Sequence, residues 1–211
     1  PAEDLAKITS KSLSASDIFS FLPIIEQSFT GVEPFITTDP LELMATGNFN
    51  RVPLISGLTS QEGIVMLISG QTKIEDFSKV KSLSDTGLNL KGALKSSLNS
   101  NDDNAISLLA EKIENFYFNR GGKAIESYID LMSDLLFTVE VIKSINLQKK
   151  YHPIYCYMFT YSGGLNLFKL ITSYPYTGAS HGDDLGYLFK QNMGKLPEGV
   201  KLPEITQSDL E

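Results

Sequence analysis

Apolar residues recur along this chain in two kinds of pattern, and the two predict different elements. Ile106, Leu109, Ala110, Ile113 and Phe116 return at three- and four-residue intervals, which predicts a helix with one apolar face. Asp102 or Asp103 stands where an N-cap belongs, and Asn119-Arg120-Gly121-Gly122 supplies a C-terminal stop. A second amphipathic helix is predicted from about Lys123, with Ile125, Tyr128, Ile129 and Met132 inward, and a third over roughly Leu135 to Ile145. The Phe and Leu residues of 105–145 are read as core, some of them as candidates for an acyl pocket.

Elsewhere the pattern alternates. From Ile154 to Tyr161, Tyr155, Tyr157, Phe159 and Tyr161 fall on one face, and Ile154, Cys156 and Met158 on the other. Both faces are apolar or aromatic, so the segment predicts a strand covered on both sides, with Cys156 a small buried hydrophobe. Val52 to Gly57 predicts a second buried strand, with Pro53 tolerable near its start. Thr59 to Gly63 then reads as a loop, and Ile64 to Leu67 as a resumed apolar helix. Residues 1–20 read as a polar helix-and-loop lead-in, residues 71–103 as surface loops with short helical pieces, and the stretch after Gly194 as loosely ordered. Strands separated by long helical stretches point to an α/β sheet. A two-stranded sheet has little stability of its own, which predicts that this chain is part of something larger.

Composition narrows the class without naming a function. The 211 residues are 42% hydrophobic and 20% charged, the balance of an ordinary globular protein. The formal charge is −7 with no Lys/Arg stripe, which argues against nucleic acid as a partner. No apolar stretch approaches the roughly 20 residues a bilayer span needs. Cys156 is the only cysteine, so no internal disulfide forms, and no Asn-x-Ser/Thr acceptor occurs.

With two histidines in the chain, the search for an acid–base centre is short. His181 sits in Gly178-Ala179-Ser180-His181-Gly182, a run of small residues that leaves an imidazole uncovered. Taken alone, it reads as a loop histidine bonded to Asp183 or Asp184. Glu62 follows a short strand and, alone, reads as a surface glutamate in the first turn of a helix. Paired, the two meet the needs of a general base and the carboxylate that orients it, in the chain order acid then histidine. Asp183 and Asp184 read equally as hydrogen-bond partners near that site and as N-caps. His152, beside Pro153 at the head of a strand, reads as structural.

The wording around these residues carries a resemblance. Phe21-Leu22-Pro23-Ile24-Ile25-Glu26, Glu33-Pro34-Phe35, Val52 to Gly57 and Glu62-Gly63 resemble, in order, the segment of type-B carboxylesterases that leads to their acidic triad member. Pro153 to Tyr161 resembles the strand before the family's histidine. Ala179 to Phe189 resembles its histidine motif, in a form most like insect carboxylesterases. The resemblance implies part of an α/β-hydrolase fold, a mixed, mostly parallel sheet flanked by helices, making up residues 1–211 as one partial domain truncated at both ends. It implies a carboxylic ester hydrolase acting through a Ser–Glu–His triad and an acyl-enzyme, with Glu62 and His181 catalytic and no metal or organic cofactor. The partner it implies is a small-molecule carboxylic ester; localisation stays open between secretion, the family default, and the cytoplasm. A non-catalytic cell-adhesion or binding protein of the same fold is the alternative. Asp184 stands where many members carry Glu. No Gly-x-Ser-x-Gly elbow is expected in this chain, so the nucleophilic serine is expected in a missing N-terminal part.

Overall fold

The computed structural model describes residues 23–68, 76–166, 177–190 and 204–210. The elements in chain order are α1 (Pro40–Thr46), β1 (Leu54–Thr59), a 3₁₀ turn (Glu62–Ile64), α2 (Val65–Ile68), two further 3₁₀ turns (Phe77–Lys79 and Leu83–Thr86) and α3 (Leu90–Leu98). There follow α4 (Asp103–Phe118), α5 (Ala124–Ser133), a π-helical turn (Asp134–Thr138), α6 (Val139–Gln148), β2 (Ile154–Phe159), α7 (Leu185–Leu188) and α8 (Gln207–Leu210). The architecture is α/β, with β1 and β2 forming a two-stranded sheet. The predicted lead-in at 1–20 and most of the segment after Gly194 lie outside the described residues. No described helix is long and apolar enough to cross a membrane.

The chain divides into two compact units, residues 1–56 with 140–156, and residues 57–139 with 157–211. In the first, Asp39 caps α1 by accepting the Leu41 N–H (2.8 Å), with Pro40 as its first residue. Gly47 closes that helix at φ +76°, and a Cβ there would press into the ring of Tyr151 at 2.4 Å. Tyr151 in turn donates its hydroxyl to the Ala45 carbonyl (2.7 Å).

The second unit holds the hydrophobic core. Asp102 caps α4 by accepting the Asn104 and Ala105 N–H groups. The helix then buries Ile106, Ala110 and Tyr117. The expectation of an inward Phe116 is corrected, since that ring is 61% exposed and the four–three–four spacing 106, 110, 113, 117 carries the stripe to Tyr117 instead. Gly121 and Gly122, both at positive φ, turn the chain into α5. There Ile125, Tyr128, Ile129 and Met132 are buried as the periodicity predicts, against Ile64, Leu83, Leu90 and Leu94. The predicted helix over Leu135–Ile145 begins as the π turn and runs on through Gln148.

The strands form two residues later (β1) and two residues shorter (β2) than the patterns suggest, with Pro53 just outside β1. The expected burial of both faces of β2 is corrected. Tyr155 is 63% and Met158 61% exposed, and Cys156 is exposed as well. The reason is physical: the core helices bury their apolar stripes on one another and on the turn after β1, and among the described residues these side chains of β2 are left uncovered.

Candidate active site

Two loops meet just beyond the carboxyl end of β1. Gln61 and Ser180 form a parallel bridge, the Gln61 N–H donates to the Ala179 carbonyl (2.8 Å), and the Ala179 N–H donates to Ser60 Oγ (3.1 Å). Gly178 allows that approach, with φ at +91° and no room for a Cβ, which would lie 2.7 Å from Ser60 Oγ. The next turn is folded around Asp183. Its buried carboxylate accepts the Ser180 N–H (2.6 Å) and the Asn166 side-chain amide (3.1 Å). Asp184 instead accepts the Tyr157 hydroxyl (2.7 Å) and makes no capping bond to α7. Both side chains hydrogen-bond around the histidine loop, and Asp184 holds the N-cap position of α7 without a side-chain capping bond.

This zipper brings Glu62 and His181 together, 119 positions apart in sequence. Glu62 is 4% exposed. One oxygen accepts the Thr59 N–H (2.7 Å) and the other accepts the Nδ1–H of His181 (2.7 Å). An ionised carboxylate only accepts, so the proton shared by the pair sits on Nδ1. Burial pushes the Glu62 carboxyl up, but the bonds from His181 and the Thr59 N–H outweigh it and hold the pKa below the ordinary carboxylate value. The hydrogen bond to Glu62 lifts the His181 pKa above the ordinary histidine value, against partial burial, with the charges of Glu62, Asp184 and Asp183 adding to the rise. The arrangement is a histidine fixed in one tautomer by a buried anion. It is suited to accept a proton at Nε2 and to be stabilised once charged.

The expected absence of a Gly-x-Ser-x-Gly spacing is corrected, but the expectation that this chain displays no nucleophile elbow is not. Gly178-Ala179-Ser180-His181-Gly182 does have the Gly-x-Ser-x-Gly spacing. Ser180, however, is fully buried with its hydroxyl enclosed, and it lies in the isolated bridge to Gln61 rather than standing exposed on a strand-to-helix turn. It is not displayed as a nucleophile. His152 takes the structural place expected of it. Its ring bonds the Pro153 carbonyl (3.2 Å) and the Gln148 side-chain oxygen (3.4 Å) and packs edge-on against Phe49.

Sequence reasoning missed two residues that touch this centre. Ser133 Oγ accepts the Gly63 N–H (2.8 Å), and the ring of Phe137 lies over the imidazole of His181 with centroids 4.8 Å apart. The signal for Ser133 was a polar residue four positions after Ile129 on an otherwise apolar stripe. Phe137 looked like any core aromatic. Among the described residues, no group of three or more His, Cys, Asp or Glu side chains could hold a metal ion.

The chain matches the model of the carboxylesterase family over residues 1–208. It is 28% identical to juvenile hormone esterase of Heliothis virescens, over 91% of this chain and 33% of that protein. It is 27% identical to venom carboxylesterase-6 of Apis mellifera, over 78% of this chain and 30% of that protein. The crystal structure of juvenile hormone esterase from Manduca sexta, with OTFP covalently attached, superposes with a TM-score of 0.61 at 27% identity, over 90% of this chain and 34% of that one. The chain thus spans about a third of the length of the relatives it matches.

Proposed function

The chain belongs to the carboxylesterase family, and on that premise we propose that it carries the acid and base of a serine esterase whose nucleophile lies outside it. Glu62 orients His181. His181 Nε2 takes the proton of the serine hydroxyl as its oxygen attacks the carbonyl carbon of a carboxylic ester. The resulting imidazolium is stabilised by Glu62 and then returns the proton to the departing alcohol, leaving an acyl-enzyme. Water repeats the sequence and releases the acid. No metal or organic cofactor enters these steps. The observation that carries the reading is the 2.7 Å bond from His181 Nδ1 to a Glu62 carboxylate whose other oxygen is held by the Thr59 N–H. The names of its relatives share ester hydrolysis, and that shared chemistry is what is carried over; the acyl and alcohol specificity is not.

The test is turnover of a simple aryl ester by the full-length polypeptide. His181→Ala is expected to remove on the order of 10⁴-fold or more in kcat. A full-length protein that turns over no ester, or a variant as active as the parent, would sink the reading in favour of a binding protein on the same fold.

A further inference from the structure

The segment that runs from the end of α5 into the π turn touches His181 and the residue next to Glu62. Ser133 is buried, and its hydroxyl makes two bonds. It donates to the Ile129 carbonyl (2.7 Å) and accepts the N–H of Gly63, the residue after Glu62 (2.8 Å). Backbone meets backbone there, because a Cβ on Gly63 would lie 2.2 Å from the Ile129 oxygen and 2.9 Å from the Ser133 nitrogen. The 3₁₀ turn that presents Glu62 is therefore pinned to α5. One turn further on, Phe137 lays its ring over His181 at 4.8 Å with the planes inclined by 38°.

The helix between them is widened to a π turn over Asp134–Thr138, a local geometry that costs helix stability and recurs where side chains are re-aimed at functional centres. Side chains brace it here. Tyr117 of α4 donates its hydroxyl to Asp134 (2.5 Å), and the Thr138 hydroxyl donates to the Ser133 carbonyl (3.2 Å).

We propose that Ser133–Thr138 is the positioning element of the pair, with Ser133 holding the turn that carries Glu62 and Phe137 holding the imidazole of His181. The proposal rests on the reading of Glu62 and His181 as acid and base. Neither Ser133 nor Phe137 exchanges a proton; each acts through the residue it holds. The π face of Phe137 favours the imidazolium, as do the charged groups around the ring, Glu62, Asp183 and Asp184.

The test uses the full-length polypeptide, with ester turnover and an NMR titration of the His181 ring read side by side and the His152 ring as internal reference. Phe137→Leu is expected to lower the His181 midpoint by about half a unit, the size of an exposed cation–π contact. It should lower kcat by about tenfold, the scale of a slight misplacement, with KM little changed. Phe137→Tyr, which keeps the ring, should restore both. Ser133→Ala is expected to weaken the low-field Nδ1–H resonance of His181. Should that variant misfold, Phe137→Leu decides alone. A folded Phe137→Leu protein with an unmoved His181 titration overturns the proposal. If the parent hydrolyses no ester and the titration still shifts, the positioning role stands and the esterase reading fails.

Discussion

His181 and His152 each lie in their own compact unit, and each ring is engaged at Nδ1, but by different kinds of acceptor. Glu62 brings His181 a buried negative charge, itself held by the Thr59 N–H. His152 meets the Pro153 carbonyl and the amide oxygen of Gln148, both neutral, and an aromatic edge from Phe49. The first environment stabilises a charged imidazole and leaves Nε2 as the nitrogen that Glu62 does not engage. The second surrounds a buried ring with neutral groups. Burial does not separate these roles, since His152 is the more enclosed of the two; the charge of the partner does.

The widest gap between the two should appear in turnover. His181→Ala in the full-length polypeptide should abolish ester hydrolysis, while His152→Ala leaves kcat/KM unchanged; equal losses in both would erase the distinction. Glu62→Gln comes next, keeping the shape but removing the charge. A loss on the order of 10³–10⁴-fold in kcat is expected. On the proposed mechanism the neutral imidazole is the base, and its pKa is raised in the parent, so the acidic limb of the kcat/KM profile should lie above the ordinary histidine value of about 6.5. It should move down in whatever activity Glu62→Gln retains. An acidic limb that stays in place would mean that Glu62 does not tune His181.

A smaller effect tests the structural histidine. His152→Ala removes the edge-on contact with Phe49 and should cost about 1 kcal/mol in denaturant unfolding.

Much of this was legible in one dimension. The stripe on α5, the Asp102 cap and the glycine stop after α4 follow from spacing and local backbone chemistry, which act over four or five residues. Glu62 and His181 were legible through the wording around them. Three features were not. Phe116 and Tyr117 are neighbours, and the four–three–four phase of α4 turns Tyr117, not Phe116, toward the core. The faces of β2 read as buried, yet burial requires a covering layer that the described helices do not supply. Ser180 has the spacing of a nucleophile elbow and the burial of a structural residue.

By itself, then, the sequence determined the helix periodicities, the α/β character and the family-like blocks around one glutamate and one histidine, because those depend on local patterning. Only the tertiary structure decided that Glu62 and His181 meet at 2.7 Å. It also decided that a loop zipper through Gln61, Ala179 and Ser60 makes them meet, that Ser133 bonds the Gly63 N–H, and that Phe137 lies against the His181 ring. Contacts between residues 119 positions apart have no local signature. They form where hydrogen bonds and close backbone approach compensate the entropy of closing so long a loop, and only the folded chain reveals where that happens.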